Sequence, residues 1–330
     1  MFTALLLEWF DINRRDLPWR HTQDPYAIWL SEVILQQTRI AQGTAYWQKF
    51  MARFPSVESL AAATEDEVLR LWQGLGYYSR ARNLRIAAQQ VVDMGGFPST
   101  FLELKRLKGV GDYTAAAVAS FAFGQPIPAV DGNAYRVLAR HYGISTPIDS
   151  TEGKKEFFAL AQSLMSKTRP ADFNQAMMDL GATLCMPTAK PDCSVCPLVD
   201  SCIAFREGRI AALPVKAKHT KVATRYLSYI YIRCNDEVAI HRRGAGDIWQ
   251  GLWEPVLVEN APVPNYGETA KLLCHHVKHV LTHRVIYADF YLVETKIKPT
   301  LSDGFIWVKE SALDDYAKSR LFEILLERLI

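Results

Sequence analysis

The chain has 330 residues, about twice the ~150 that serve as a prior for one domain, so two domains are expected. Hydrophobic residues make up 49% and charged residues 22%, a balance that excludes disordered, collagen-like and coiled-coil chains. Lys+Arg 38 against Asp+Glu 35 leave a net charge of +3, which permits a polyanionic partner without requiring one.

The opening stretch MFTALLLEWF has no basic residue ahead of its apolar run and is interrupted by Glu8, which argues against a secretion signal. A cytoplasmic protein is expected, or a nuclear or organellar one in a eukaryote. Up to residue 205 the apolar positions recur at helical spacing, with capping signals at Thr64-x-x-Glu67 and Thr100-x-x-Glu103. Residues 113–130 carry no charge and are long enough to be weighed as a membrane span, but Gly124, Pro126 and Pro128 cut them down to a buried helix of small residues. Residues 206–225 hold six Lys/Arg, one Glu and a proline without a sustained period, and read as a basic linker. From 226 the texture changes. Runs at 225–233 and 238–243, rich in β-branched and aromatic residues, flank the turn signal Cys234-Asn235-Asp236-Glu237, which predicts a hairpin. Ala270-Lys271-Leu272-Leu273 reads as helical, strands follow near 280–293 and 305–308, and Ser311-x-x-Asp314 opens a closing helix. The chain thus divides into an all-α domain, 1–205, the linker 206–225, and an α+β domain, 226–330.

Three features carry chemistry. Gly109 and Gly111 stand one residue apart just before an alanine-rich helix, where the backbone can turn sharply and present free N–H groups to an anion. By itself that is more often a plain turn than a phosphate site. Glu32 has Ile28, Trp29 and Leu35 at i−4, i−3 and i+3, surroundings that would keep a carboxyl protonated near neutrality, and Asp131 precedes a helix it could cap. Cys185, Cys193, Cys196 and Cys202 fall within 18 residues as C-x7-C-x2-C-x5-C, a crowding better explained by one metal centre than by disulfides. Zinc is the rival ion, although zinc ribbons separate two CxxC pairs widely and there is one pair here.

The segment Leu107-Lys-Gly-Val-Gly-Asp-Tyr-Thr-Ala115, followed by Val130-Asp131-Gly132-Asn133, resembles the helix-hairpin-helix, Gly/Pro-Asp superfamily of DNA glycosylases. With Ser31-Glu32-Val33, Leu35-Gln36-Gln37-Thr38, Gly74-Leu75-Gly76-Tyr77-Tyr78-Ser79-Arg80 and the four cysteines, it is similar to adenine DNA glycosylases of the MutY type. The resemblance implies an all-α helix-hairpin-helix glycosylase domain with an iron-sulfur cluster loop at 185–202, then an α+β Nudix-like domain. It implies base excision repair of duplex DNA carrying adenine opposite 8-oxoguanine or guanine, by a monomer. Glu32 would protonate the departing adenine at N7 and Asp131 would stabilise the sugar cation, the division of labour any glycosidase needs. Superfamily members that also cut the strand place a lysine where Tyr113 stands. A monofunctional enzyme follows, with Tyr113 bonding near Asp131; a buried structural tyrosine is the alternative.

By the same resemblance the four cysteines hold a [4Fe-4S] cluster of structural role, placing Lys190 near phosphate; the family interval is C-x6-C, one residue shorter than the first gap here. Gln37 and Tyr77 match wedge residues that enter the base stack, and Trp19, Arg20 and Gln175 match the adenine pocket, with core packing the alternative for Trp19. Gly109, Gly111 and Asn133 join the DNA contacts, and Arg80 and Arg82 are further phosphate candidates. Trp249-Gln-Gly-Leu-Trp-Glu-Pro255 looks like the entry to a Nudix-like domain that lacks the acidic metal helix and so binds without hydrolysing. The family's Phe-Ser-His segment, which meets 8-oxoguanine, is here Leu281-Thr282-His283; Thr282 keeps the hydroxyl and the aromatic face is lost. His275, His276, His279 and His283 suggest a metal at helical spacing, but their neighbours favour a strand and argue against that site. An endonuclease III-like pyrimidine glycosylase/lyase and a catalytically silent DNA-binding protein remain as rivals.

Overall fold

A computed structural model of the chain describes residues 1–187, 191–217 and 222–329. The helices are α1 (Phe2–Asn13), α2 (Pro25–Leu35), α3 (Ile40–Arg53), α4 (Val57–Ala62), α5 (Glu65–Trp72), α6 (Ser79–Asp93), α7 (Phe101–Leu104), α8 (Asp112–Phe123), α9 (Gly132–Tyr142), α10 (Thr151–Leu164), α11 (Pro170–Thr183), α12 (Ile203–Arg206) and α13 (Arg320–Leu326). The strands are β1 (Ala223–Cys234), β2 (Glu237–Arg242), β3 (Trp253–Glu254), β4 (Val256–Glu259), β5 (Lys271–Leu281), β6 (Arg284–Thr295) and β7 (Phe305–Lys309). Two compact units emerge: Met1–Ala61 with Ile86–His219, and Ala62–Arg85 with Thr220–Ile330. No helix of the described residues is long and apolar enough to cross a membrane.

The first unit is all helical. Its main core joins Phe2, Leu6 and Phe10 of α1, at i,i+4 spacing, to Val137 and Leu138 of α9 and to Phe173, Met177 and Leu180 of α11. The uncharged run after Gly111 forms α8, whose residues Thr114–Ser120 are all buried, and Gly124 ends it in the left-handed region at φ +65°. Small side chains let α8 lie close against α2, the helix that carries Glu32. Leu213, inside the segment expected as linker, is 3% exposed and packs into this core, and the Ile148 amide donates to the Val215 carbonyl. The basic segment is therefore docked on the first unit up to there.

In the second unit, β1 runs parallel to β6 along its whole length, β5 pairs antiparallel with β6, and β2 and β4 pair with the other side of β1. Alternation divides the two faces: Leu227, Tyr229 and Tyr231 pack with Leu321, Phe322 and Leu325, while Ile230 and Ile232 pack with Val256 and Val293. The hairpin around Cys234–Glu237 forms as the sequence predicts. Two expectations are corrected. Residues 271–273 begin strand β5 rather than a helix, because pairing with β6 claims them. Ser311 lies within a short 3-10 segment, Glu310–Asp315, and the last helix starts at Arg320, where the Ser319 hydroxyl accepts from the Phe322 amide at 3.3 Å. The Thr64–Glu67 capping box forms in full.

Candidate active site

A cleft of about 860 Å³ in the first unit is lined by Glu32, Tyr113 and Asp131, together with Trp19, Arg20, Gln37, Asn133 and Gln175. Glu32 is 6% exposed, midway along α2, which Asp24 caps through the Tyr26 amide. Burial pushes its pKa up to about 7, with the nearby Asp131 charge adding to the rise; the Tyr113 hydroxyl and Arg20 pull the other way. Tyr113 Oη donates to Glu32 Oε2 at 2.6 Å. The expectation that Tyr113 bonds near Asp131 is thereby corrected: α8 packs on α2, so its first turn delivers the phenol to Glu32. Among the described residues no hydrogen bond reaches Glu32 Oε1.

Asp131 caps α9. Its Oδ1 accepts from the Ala134 amide at 2.8 Å and its Oδ2 from Asn133 Nδ2 at 2.7 Å. Burial raises its pKa, while these two bonds and the Arg136 charge favour the anion. Asn133, expected to touch DNA, lines the cleft and bridges within the protein: its Oδ1 accepts from Arg136 Nη2 at 2.8 Å, and Arg136 also donates to the Gly181 carbonyl at 2.7 Å. A Cβ on Gly181 would stand 2.5 Å from Asn133 Cβ, so only a glycine lets α11 approach this closely.

Arg20 lines the cleft with its guanidinium held by the fully buried Asp179, at 2.8 Å to each carboxylate oxygen. Asp179 also accepts from the Arg15 amide at 3.1 Å. No pattern in the sequence marked Asp179, a carboxylate flanked by Met177, Met178 and Leu180 in α11. Trp19 is 7% exposed, edge-on to Trp47 with ring centroids 5.9 Å apart, and is both core and cleft wall. Gln37 is exposed just past the end of α2 at φ +60°, a left-handed turn that throws its side chain outward. Gly109 turns at φ +77° and Gly111 is the N-cap residue of α8, with no side chain capping the helix and open space where a Cβ would stand.

Tyr77 belongs to the second unit, on a turn where Gly74, Gly76 and Tyr77 all have positive φ, and it is 47% exposed. Its hydroxyl meets Thr282 Oγ1 at the exposed tip of the β5–β6 hairpin, so two residues that the resemblance singled out are hydrogen-bond partners. The neighbouring His283 is exposed and its carbonyl accepts from the Ala223 amide at 3.0 Å. Arg80 and Arg82, the further phosphate candidates, are half-buried and bonded within the second unit. Arg80 Nη2 donates to the carbonyls of Leu75 and Gly76, its guanidinium lies over Trp72, and burial lowers its pKa to about 10. Arg82 Nη1 donates to the Gln250 carbonyl at 2.6 Å.

Cys185, Cys193, Cys196 and Cys202 line one small cavity with Arg140, whose Nη1 donates to Cys185 Sγ at 3.4 Å. Burial pushes Cys196 up to about 11 and raises Cys193 and Cys202. Four thiols gathered on one cavity are the soft donor set that a thiophilic metal centre takes. Lys190 lies outside the described residues. His275, His276 and His279 are placed on β5, as their neighbours suggest, while His283 lies in the turn after it, and His275 and His276 meet Asp289 in a grouping that helical spacing does not reveal.

The family model for HhH-GPD superfamily base excision DNA repair proteins matches residues 30–165, and one for the NUDIX domain matches residues 228–328. The adenine DNA glycosylase of Mus musculus is 45% identical over 227 residues, 64% of this chain and 44% of the relative. That of Buchnera aphidicola subsp. Baizongia pistaciae (strain Bp) is 31% identical over 310 residues, 90% of this chain and 87% of the relative. The chain spans less than half the length of the mouse relative and nearly all of the bacterial one. Among solved structures, a thermostable thymine-DNA glycosylase superposes with a TM-score of 0.58 at 32% identity, covering 62% of this chain and 95% of that one.

Proposed function

Since the chain belongs to the adenine DNA glycosylase family, within the helix-hairpin-helix superfamily of base excision repair proteins, we propose that it hydrolyses the N-glycosidic bond of adenine mispaired with 8-oxoguanine or guanine in duplex DNA. The observation that carries the reading is Glu32, a buried carboxyl pushed up to about 7 in the same cleft as Asp131. A group poised near neutrality is a competent acid at physiological pH.

In this reading the adenine is flipped into the cleft and Glu32 gives its proton to N7. The C1′–N9 electron pair then leaves with the base. Asp131, whose anionic form the Ala134 amide and Asn133 favour against the burial that raises its pKa, faces the positive charge that develops on the sugar, and water completes the hydrolysis. A phenol at position 113 offers no amine for a Schiff base, so the product is an intact strand with an abasic site. The uncapped start of α8 beside Gly109 and Gly111 grips a backbone phosphate, and Gln37 fills the gap left by the flipped base. Tyr77 and Thr282, already bonded to each other, meet the opposite base from the second unit, with His283 beside them. Cys185, Cys193, Cys196 and Cys202 would hold a [4Fe-4S] cluster, which braces the loop and supplies no electrons to the hydrolysis.

The test is single-turnover adenine release by Glu32→Gln and Asp131→Asn. Each is expected to lose about 100-fold or more in rate while binding the mispaired duplex as the parent does. Near-parental release by both would remove the assignment.

A further inference from the structure

Cys274 pairs with Phe290 and Val277 with Ala288, so two residues of β5, His275 and His276, stand opposite one residue of β6, Asp289. Neighbouring side chains on a regular strand leave from opposite faces. Here the extra residue and a left-handed backbone at His276, φ +54°, undo that rule, and the two imidazoles meet with ring centroids 3.7 Å apart. His275 Nε2 and His276 Nδ1 face each other in direct contact. Asp289 Oδ1 binds both residues from behind, accepting from the His276 amide at 2.7 Å and lying 3.0 Å from His275 Nδ1. One ligand atom from each of the three lies within 4.8 Å of the others.

We propose that His275, His276 and Asp289 form a site for a divalent transition-metal ion of the zinc class. His275 Nε2 and His276 Nδ1 are the nitrogen donors, and Asp289 fixes His275 through its other ring nitrogen, as carboxylates do behind metal-bound imidazoles. Imidazole donors select zinc, nickel or copper over magnesium and calcium. Both histidines are exposed, so water fills the remaining positions and the site is open. A metal there pins the register of the β5–β6 hairpin whose tip is Thr282-His283. The inference rests on the second unit's geometry alone and stands apart from the glycosylase reading.

The experiment is calorimetric titration of the full chain, its cysteine-bound centre intact, with Zn²⁺ and separately with Mg²⁺. Parent protein is compared with His276→Asn, chosen because asparagine tolerates the left-handed backbone, and with Asp289→Asn. The parent is expected to take up zinc with an affinity that Asp289→Asn weakens about tenfold and His276→Asn weakens further, with no uptake of Mg²⁺. Zinc is also expected to raise the melting temperature of the parent relative to chelator and to leave His276→Asn unmoved. If His276→Asn melts early in chelator, His275→Gln, at an ordinary backbone conformation, replaces it. Equal zinc uptake by parent and histidine variants, or none by the parent, overturns the site.

Discussion

Replacing Glu32 by Gln should make the protein more stable above neutral pH while removing its activity. The carboxyl's pKa rises from 4.5 to about 7, chiefly through burial and despite the bond from Tyr113. That displacement of about 2.5 units, at about 1.4 kcal/mol per unit, is a cost of up to about 3 kcal/mol for holding the ionised group in place. The sign follows from proton binding. The folded state holds the proton more tightly than the unfolded chain, so stability is complete below the ordinary pKa of 4.5 and is lost as pH rises through about 7. The substituted carboxamide never ionises and still accepts the Tyr113 hydroxyl through its oxygen. The variant should therefore match the parent at pH 4.5 and exceed it by up to about 3 kcal/mol at pH 8. Urea denaturation of both proteins at the two pH values measures the difference. An equal gain at both pH values, or none at pH 8, would refute the claim that the cleft strains this carboxyl. The stability given up at this position is what a poised acid costs.

Tyr113→Phe removes the hydroxyl that donates to Glu32, and a hydrogen bond to a charged group contributes about 1.5 kcal/mol, so the carboxyl should rise by about one further unit. The activity needs protonated Glu32 and falls as pH climbs through about 7 in the parent, so this limb of the single-turnover pH profile should move up by about one pH unit in the variant; a fixed or falling limb rejects the coupling. Arg20→Ala takes both guanidinium bonds from the fully buried Asp179 and leaves Arg15 as its partner, which should cost about 3 kcal/mol in urea denaturation. A loss under about 0.5 kcal/mol, the scale of an ordinary surface change, would show that Asp179 does not depend on Arg20. Thr282→Val should narrow the preference for 8-oxoguanine over guanine opposite adenine while leaving excision from A:G pairs in place; an unchanged preference removes Thr282 from lesion recognition.

Features written in contiguous residues were legible in the sequence. The Thr64–Glu67 box, the end of α8 at Gly124, the hairpin at Cys234–Glu237 and the buried setting of Glu32 each depend on neighbours within a few positions. Contacts across long separations were not. Tyr113 and Glu32 are 81 residues apart and Arg20 and Asp179 are 159, and only helix packing reveals which carboxylate each reaches. The start of strand β5 escaped because its pairing with β6 slips twice, between Leu272 and Cys274 and again before Val277, which erases the two-residue period by which a strand is read. Those same slips bring His275 and His276 together, so the loss of the pattern and the gain of the cluster share one cause. The closing helix was misplaced because Leu313 and Leu321 sit in one core although they belong to different elements.

Which base is excised and what becomes of the strand can be decided together. Duplexes carrying adenine opposite 8-oxoguanine, and thymine opposite guanine, are incubated with the protein and analysed for free base and for strand breaks before and after alkali. Release of adenine from the first duplex, with breaks only after alkali, is the expected result. Release of thymine instead, or strand cleavage without alkali, would contradict the account.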